Sequence, residues 1–303
     1  MKHFILFGGL AIIGILSSCN RGSKNVTTRD GIKVPDHVIV VIEENHGYDQ
    51  IVGSDSASYI NQLTGEGALF TDAHGVTHPS QPNYLAIFSG STQGITGDQC
   101  LEDSAIFTTP NLAAALIKKG YTFKGYAQTL PSPDYLKCEF QTSAITDQPI
   151  YARKHCPWVD WLGDKKNDIP DSLSQPMTSF PKDFNQLPTV SFVIPDMDHD
   201  MHNIGGPGDS AAIVRGDKWL KDNLSAYIEW AKTHNSLFIL TYDEDQFTAQ
   251  NRILTFFAGA NIKPGKYSEK INHYNVLKTI EAMYGLHVSD TTKASVIKDV
   301  WKN

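Results

Sequence analysis

Past its first sixteen residues the sequence has no long apolar run, so no membrane-spanning helix is expected; such a helix needs roughly 20 consecutive apolar residues. There is no basic block either. Its 26 Lys and Arg against 33 Asp and Glu are spread thinly, and this argues against nucleic acid as a partner. Internal repeats and low-complexity tracts are missing too, which points away from repeat architectures. Cysteine is scarce, four in 303 residues, so no dense disulfide framework holds this chain together.

What is present begins at the N-terminus. Lys2 and His3 precede an apolar stretch from Phe4 to Leu16, followed by Ser17, Ser18 and Cys19. A basic start, a short hydrophobic run and small residues read as a secretory signal, too short to span. The Leu16-Ser17-Ser18-Cys19 ending is similar to a bacterial lipobox, with Cys19 as the lipidated first residue of the mature chain. The expected organisation is a signal over 1–18, a tether over 19–34 and one domain over 35–303. Losing Lys2 on cleavage takes the net charge from −7 to −8. Asn20 to Asp30 lacks apolar periodicity and is expected to be disordered. The protein is then an exported cell-envelope lipoprotein, attached to a membrane through its anchor and monomeric. It faces the periplasm or the cell surface, and the lack of an acidic residue just after Cys19 favours the periplasmic side. Of the other three cysteines, Cys100 is expected to pair with Cys138 and leave Cys156 free, although sequence alone does not fix connectivity.

Apolar runs alternating with helical patterns predict an α/β fold with a largely parallel sheet. Val38 to Ile42 is fully apolar, as a central buried strand should be. Further strands are predicted at Ala68 to Asp72, Tyr121 to Ala127, Thr189 to Ile194, Ser236 to Tyr242 and Arg252 to Ala258. Helices are predicted at Tyr59 to Gly67, from Pro79 to a Gly90 stop, and at Asn111 to Lys119, Asp217 to His234 and Val276 to Tyr284. The span 131–188 is rich in Pro, Asp and Ser and reads as a long irregular region covering a site. Trp219, Leu220, Tyr227, Ile228 and Trp230 fall at helical spacing and are assigned to the core.

Four acid- or His-bearing segments follow strand-like runs or lie in loops beyond them: Glu43-Glu44-Asn45-His46, Asp196 to His202, Asp243-Glu244-Asp245, and His273 before the last helix. In open α/β sheets, ligands collect at the carboxyl ends of strands. So many carboxylates at one edge repel one another and would take up protons unless a cation neutralised them. Ser80, just before a predicted helix, suits a nucleophile, because a helix N-terminus favours an alkoxide and an incoming phosphate. A plain N-capping serine is the commoner reading of that position taken alone.

Glu44-Asn45 with Tyr48, Pro79-Ser80-Gln81-Pro82-Asn83-Tyr84, Tyr151-Ala152-Arg153-Lys154-His155, Asp200-Met201-His202, Asp217-Lys218-Trp219-Leu220, Thr241-Tyr242-Asp243-Glu244 and Asn272-His273-Tyr274 occur in this order. In these segments the chain resembles the phosphoesterase family of bacterial and fungal acid phosphatases and phospholipases C, from about Val38 to Leu286. It is most similar to the short secreted acid phosphatases. The resemblance implies an alkaline-phosphatase-like α/β/α sandwich with a mostly parallel central sheet. It implies a phosphoric ester hydrolase of the acid phosphatase type, a metal-dependent enzyme that hydrolyses phosphate monoesters through a phosphoserine at Ser80, with a small phosphate ester, phospholipid or phosphoinositide as substrate. Glu44, Asn45, Ser80, Asp243 and Glu244 would hold one divalent cation, and Asp200, His202 and His273 would match a second site. Asn83, in the turn after the nucleophile, and Arg153, Lys154 and His155 would hold the phosphate.

The chain also departs from the family pattern. Two-metal relatives carry His where Glu244 stands, and hard oxygen ligands shift preference from zinc to calcium, magnesium or manganese. Asp196 stands where others often have Asn, leaving it an extra ligand or loop chemistry. The sulfatase signature Cys-x-Pro-x-Arg is missing. A phosphodiesterase or phospholipase C with the same site is the near alternative, and a non-catalytic metal-binding surface lipoprotein the distant one.

Overall fold

The structure, a computed structural model, describes Met1 and residues 28–29, 31–101, 107–163, 166–288 and 294–302. Cys19, the signal and most of the tether lie outside the described residues. The tether's far end is ordered: Thr28–Arg29 pairs antiparallel with Ile32–Lys33, and Ile32 is fully buried. Burial of that isoleucine explains why the segment past Asp30 differs from the disordered reading of its neighbours.

Eight strands build the central sheet: β1 (His37–Glu43), β2 (Ala68–His74), β3 (Phe123–Ala127), β4 (Ser174–Pro176), β5 (Val190–Ile194), β6 (Ser236–Tyr242), β7 (Arg252–Ala258) and β8 (Gly265–Asn272). Their spatial order is β8-β2-β7-β6-β1-β5-β3-β4. Only β7 runs against the rest, antiparallel to both β6 and β2. The carboxyl ends of β1, β2, β3, β5, β6 and β8 therefore share one edge. Strand β1 is apolar on both faces because it lies mid-sheet, flanked by β6 and β5 in parallel register.

The helices are α1 (Tyr48–Ile51), α2 (Ser58–Thr64), α3 (Ser80–Ser89), α4 (Leu112–Lys118), α5 (Asp209–Ala231) and α6 (His273–Tyr284). All ten residues of α3 are buried, so this helix is core on every side, and it packs against α6. Gly90 ends it with φ 71°, a conformation that suits glycine. Helix α2 packs on α5. Consecutive residues Glu43 and Glu44 mark the two faces of the sheet: Glu44 meets α3, while Glu43 feels the charge of Asp217 on α5. This is the α/β/α sandwich expected, with a mostly parallel sheet.

Four departures from the expected elements have physical reasons. Helix α5 starts at Asp209, eight residues before its predicted start. Gly216 breaks the helical pattern there, and it is glycine because a Cβ would meet Met201 Cε at 2.6 Å. Strand β8 went unpredicted because its outer residues are polar and largely exposed, as on an edge. His273 is the first residue of α6 rather than a loop residue; the Asn272 side chain accepts from Tyr274 N at 3.0 Å and caps the helix. Finally, the span 131–188 is not wholly irregular. It supplies edge strand β4 and a ribbon in which Glu139–Thr142 pairs with Pro149–Ala152. Trp158 and Trp161 glue it down: both are fully buried, and their indole N–H groups donate to Ser174 Oγ and Thr109 O.

Candidate active site

Ser80 opens α3, just past the end of β2, with its side chain buried. Its Oγ donates to Glu44 Oε2 at 3.1 Å and stands 3.4 Å from Glu244 Oε1. Glu44 comes from the end of β1, and Asp243 and Glu244 from the end of β6. Tyr84, one turn along α3, donates its hydroxyl to Glu44 Oε1 at 2.7 Å and stacks on the His155 ring at 4.9 Å. His155 stands between two carboxylates, with Nε2 3.1 Å from Glu44 Oε1 and Nδ1 3.3 Å from Asp200 Oδ2. Asn45 sits at φ 54° and donates its backbone N–H to Asp243 Oδ1 at 3.1 Å. Glu244 Oε2 takes a hydrogen bond with His78 Nδ1 at 2.6 Å.

The electrostatics follow from burial. Desolvation, reinforced by the charges of Asp243 and Asp200, pushes Glu44 well above the usual carboxylate range. Burial likewise raises Asp200, lifts Asp243 to about 6 and, with Asp243 beside it, lifts Glu244 to about 9. Burial and the Lys154 charge lower His155 well below its ordinary value and His202 to about 4. For Lys154 itself, burial would lower the pKa, but the carboxylates of Glu44 and Asp98 outweigh it and raise it.

These residues fit a cation. Asn45 Oδ1, Asp200 Oδ2, Asp243 Oδ2 and His155 Nε2 are buried polar atoms with no hydrogen-bond partner. Ligand atoms of Glu44, His155 and Asp200 lie within 4.8 Å of one another. Native structures rarely leave so many buried polar atoms unsatisfied. Oxygens dominate the set, as suits a hard cation.

The ligand grouping read from sequence is therefore rearranged. Asp200, assigned to a second site with His202 and His273, clusters with Glu44 and His155 instead. The His202 ring lies 5.9 Å from the His155 ring, and His202 N donates to Asp200 Oδ1 at 2.9 Å. His273 turns Nε2 to Tyr242 O at 2.9 Å, next to Asp243, and burial lowers its pKa to about 4. Asn83 lies within α3 rather than in a turn. It makes four hydrogen bonds to the backbone of its own loop, accepting from Val76 N and Thr77 N and donating to Thr77 O and Pro79 O. Arg153 forks onto Asp160 Oδ1 at 2.9 Å and 3.2 Å and donates to Leu136 O. These contacts hold both side chains in place within the protein, and Arg153 also lines the cavity beside the cluster. Asp196 accepts from Thr129 Oγ1 and contacts His199, which makes it loop chemistry.

Three residues around the site escaped the sequence reading or lacked a distinct signal in it: Tyr84, His78 and Asp98. For Tyr84 a signal existed, since it follows Ser80 by four on one helix and must share its face. Beside the cluster opens a cavity of about 350 Å³, whose lining includes Gln81, Asp98, Lys154 and His202. The Cys100–Cys138 disulfide forms part of its wall, and Cys156 is free and buried, as expected.

An eight-stranded, mostly parallel sheet flanked by helices is also the fold of the alkaline phosphatase superfamily. Solved structures agree. One is a member of that superfamily from Vibrio parahaemolyticus, with TM-score 0.54 at 12% identity over 83% of this chain and 66% of that one. Another is a lipoteichoic acid synthase from Listeria monocytogenes, with TM-score 0.54 at 11% identity over 89% and 78%. The profile of the Phosphoesterase family matches residues 54–287, and the chain belongs to that family. A phosphatidylinositol-3-phosphatase of Mycobacterium tuberculosis is 44% identical over 268 residues, covering 88% of this chain and 82% of that protein. An acid phosphatase of Aspergillus fumigatus is 28% identical over 80% of this chain, which spans 53% of the fungal protein. The chain is thus a phosphoric ester hydrolase.

Proposed function

We propose that this protein hydrolyses phosphate monoesters through a phosphoserine on Ser80. The observation that carries this is the Ser80 hydroxyl, buried at the N-terminus of α3 and in reach of two carboxylates, Glu44 at 3.1 Å and Glu244 at 3.4 Å. Ser80 Oγ attacks phosphorus, its proton passes to a carboxylate it already faces and from there to the leaving-group oxygen, and the P–O bond to that oxygen breaks so that it departs as the alcohol. Water then attacks the phosphoseryl group and frees phosphate and Ser80. Residues Glu44, Asn45, His155, Asp200, Asp243 and Glu244 would hold the divalent cation. When bound, that cation supplies the positive charge that offsets the carboxylates and the developing phosphoryl charge. Tyr84 fixes Glu44, and His78 fixes Glu244.

The cavity favours a monoester with a small polar leaving group over a phospholipid diester. Glutamines 81, 99 and 148 line it together with Asp98, Glu139 and Lys154, and among the described residues no Phe, Tyr or Trp does. Phosphoinositide monoesters are a specific second reading, supported by the name of the 44% identical mycobacterial relative. The lipid anchor at Cys19 and the envelope location are part of the proposal, resting on the Leu16–Cys19 sequence alone.

Ser80→Ala should abolish turnover of p-nitrophenyl phosphate while leaving the circular dichroism spectrum and bound metal unchanged. Chelation should also abolish it, and calcium, magnesium or manganese should restore it. Full activity in Ser80→Ala defeats the assignment. A panel adding bis-p-nitrophenyl phosphate, phosphatidylcholine and phosphoinositide monoesters separates the substrate readings.

A further inference from the structure

Helix α3 carries Ser80 but has no cap of its own: Pro79 occupies the N-cap position and offers no side-chain acceptor. The acceptor comes from elsewhere. Asp98 Oδ1 takes the backbone N–H of Gln81, the residue after the nucleophile, at 2.9 Å. The other oxygen of that carboxylate, Oδ2, holds Lys154 Nζ at 2.6 Å. One carboxylate thus joins the nucleophile's helix to a partly buried ammonium, and Gln81, Asp98 and Lys154 all line the cavity beside the cluster.

The segment that presents Asp98 is itself tied to the segment that presents Lys154. Two residues past Asp98, Cys100 is bonded to Cys138, and Cys138 O accepts from Arg153 N at 2.8 Å. Chain, disulfide, hydrogen bond and ion pair therefore close a ring: Asp98 to Cys100, across to Cys138, on to Arg153, and through Lys154 back to Asp98. A flexible lysine gains a defined place from such a ring, and charge placed before the substrate arrives needs no reorganisation during reaction.

We infer that Asp98 is a positioning residue, holding Lys154 against the N-terminus of α3 so that its ammonium meets the substrate phosphate, with the disulfide as the covalent backing of this clamp. The inference rests on Ser80 and the adjoining cavity being the reactive site. Asp98→Asn retains an oxygen for Gln81 N–H and removes the charge that holds Lys154.

The test uses the whole protein with its cation and p-nitrophenyl phosphate. In Asp98→Asn, KM should rise at least fivefold with kcat changed less than twofold, and the melting temperature should stay within about 2 °C. In a Lys154→Met background the same change should have no further effect, since residues acting as one unit are not additive. A KM that holds steady or falls in Asp98→Asn overturns the inference, as does an equal fold-change with Lys154 removed. Should Asp98→Asn misfold, Cys100→Ser with Cys138→Ser replaces it: KM must rise with Lys154 present and not in Lys154→Met. Ser80→Ala run alongside separates the two levels. If it is inactive, a negative Asp98 result counts against the clamp alone; if it is active, the site itself is misassigned.

Discussion

The Cys100–Cys138 bridge offers the most quantitative prediction about stability. It closes a loop of sequence separation 38 that includes α4 and β3, two elements already held in the native core. Its main effect then falls on the unfolded chain, whose freedom it restricts. The chain-entropy relation for a loop of that size gives about 4 kcal/mol near room temperature. For a domain of this size each kcal/mol moves the melting temperature by about 2–4 °C, so Cys100→Ser with Cys138→Ser should lower it by about 8–15 °C. Calorimetry, or circular dichroism melts at matched scan rate, reads this directly. Reductant should produce the same shift in the unaltered protein and none in the double variant. A loss smaller than about 3 °C would refute the argument, because the unfolded chain would then already be restrained across that loop.

Gly125→Ala in β3 should cost about 1–3 kcal/mol, visible in a urea melt, because the new methyl would sit 2.2–2.4 Å from Trp158 ring atoms buried beneath it. Tyr84→Phe removes the hydroxyl that orients Glu44; manganese affinity by titration calorimetry should fall about 10–100-fold with the fold intact. Calcium, magnesium or manganese at 100 times its dissociation constant should stabilise the chelator-treated protein by about 2.7 kcal/mol, and Asp200→Asn should blunt that gain.

Much of the fold was legible because its strands are apolar runs and its helices stop at glycines. Val38–Ile42 could only be a central strand, and Gly90 and Gly285 both end helices in the left-handed conformation. What hid was set by tertiary contact. Gly216 reads as a break until Met201 is seen packed against it, and β8 reads as a polar loop until its pairing with β2 appears. The same divide runs through the site. Carboxylates at strand ends are visible in sequence because chemistry and topology coincide there. The partnership of Glu44, Asp200 and His155 is not, since His155 arrives on a turn fastened by Arg153 and Asp160 from an otherwise patternless span. Asn83 is the reverse case: its motif suggests a ligand contact, and its amide is spent on its own loop.

The sheet order has a consequence for how the protein acquires its activity. Residues 44, 80, 155, 200 and 243 meet only once β2, β7, β6, β1 and β5 have assembled in that order, and the pairings of β1 with β5 and β6 and of β2 with β7 join segments far apart in the chain. During refolding, recovered hydrolysis should lag recovered helical signal, and no proteolytic fragment lacking one of those strands should turn over substrate. Enzymatic assay is then a stricter gauge of native topology for this chain than any spectroscopic measure of its secondary structure.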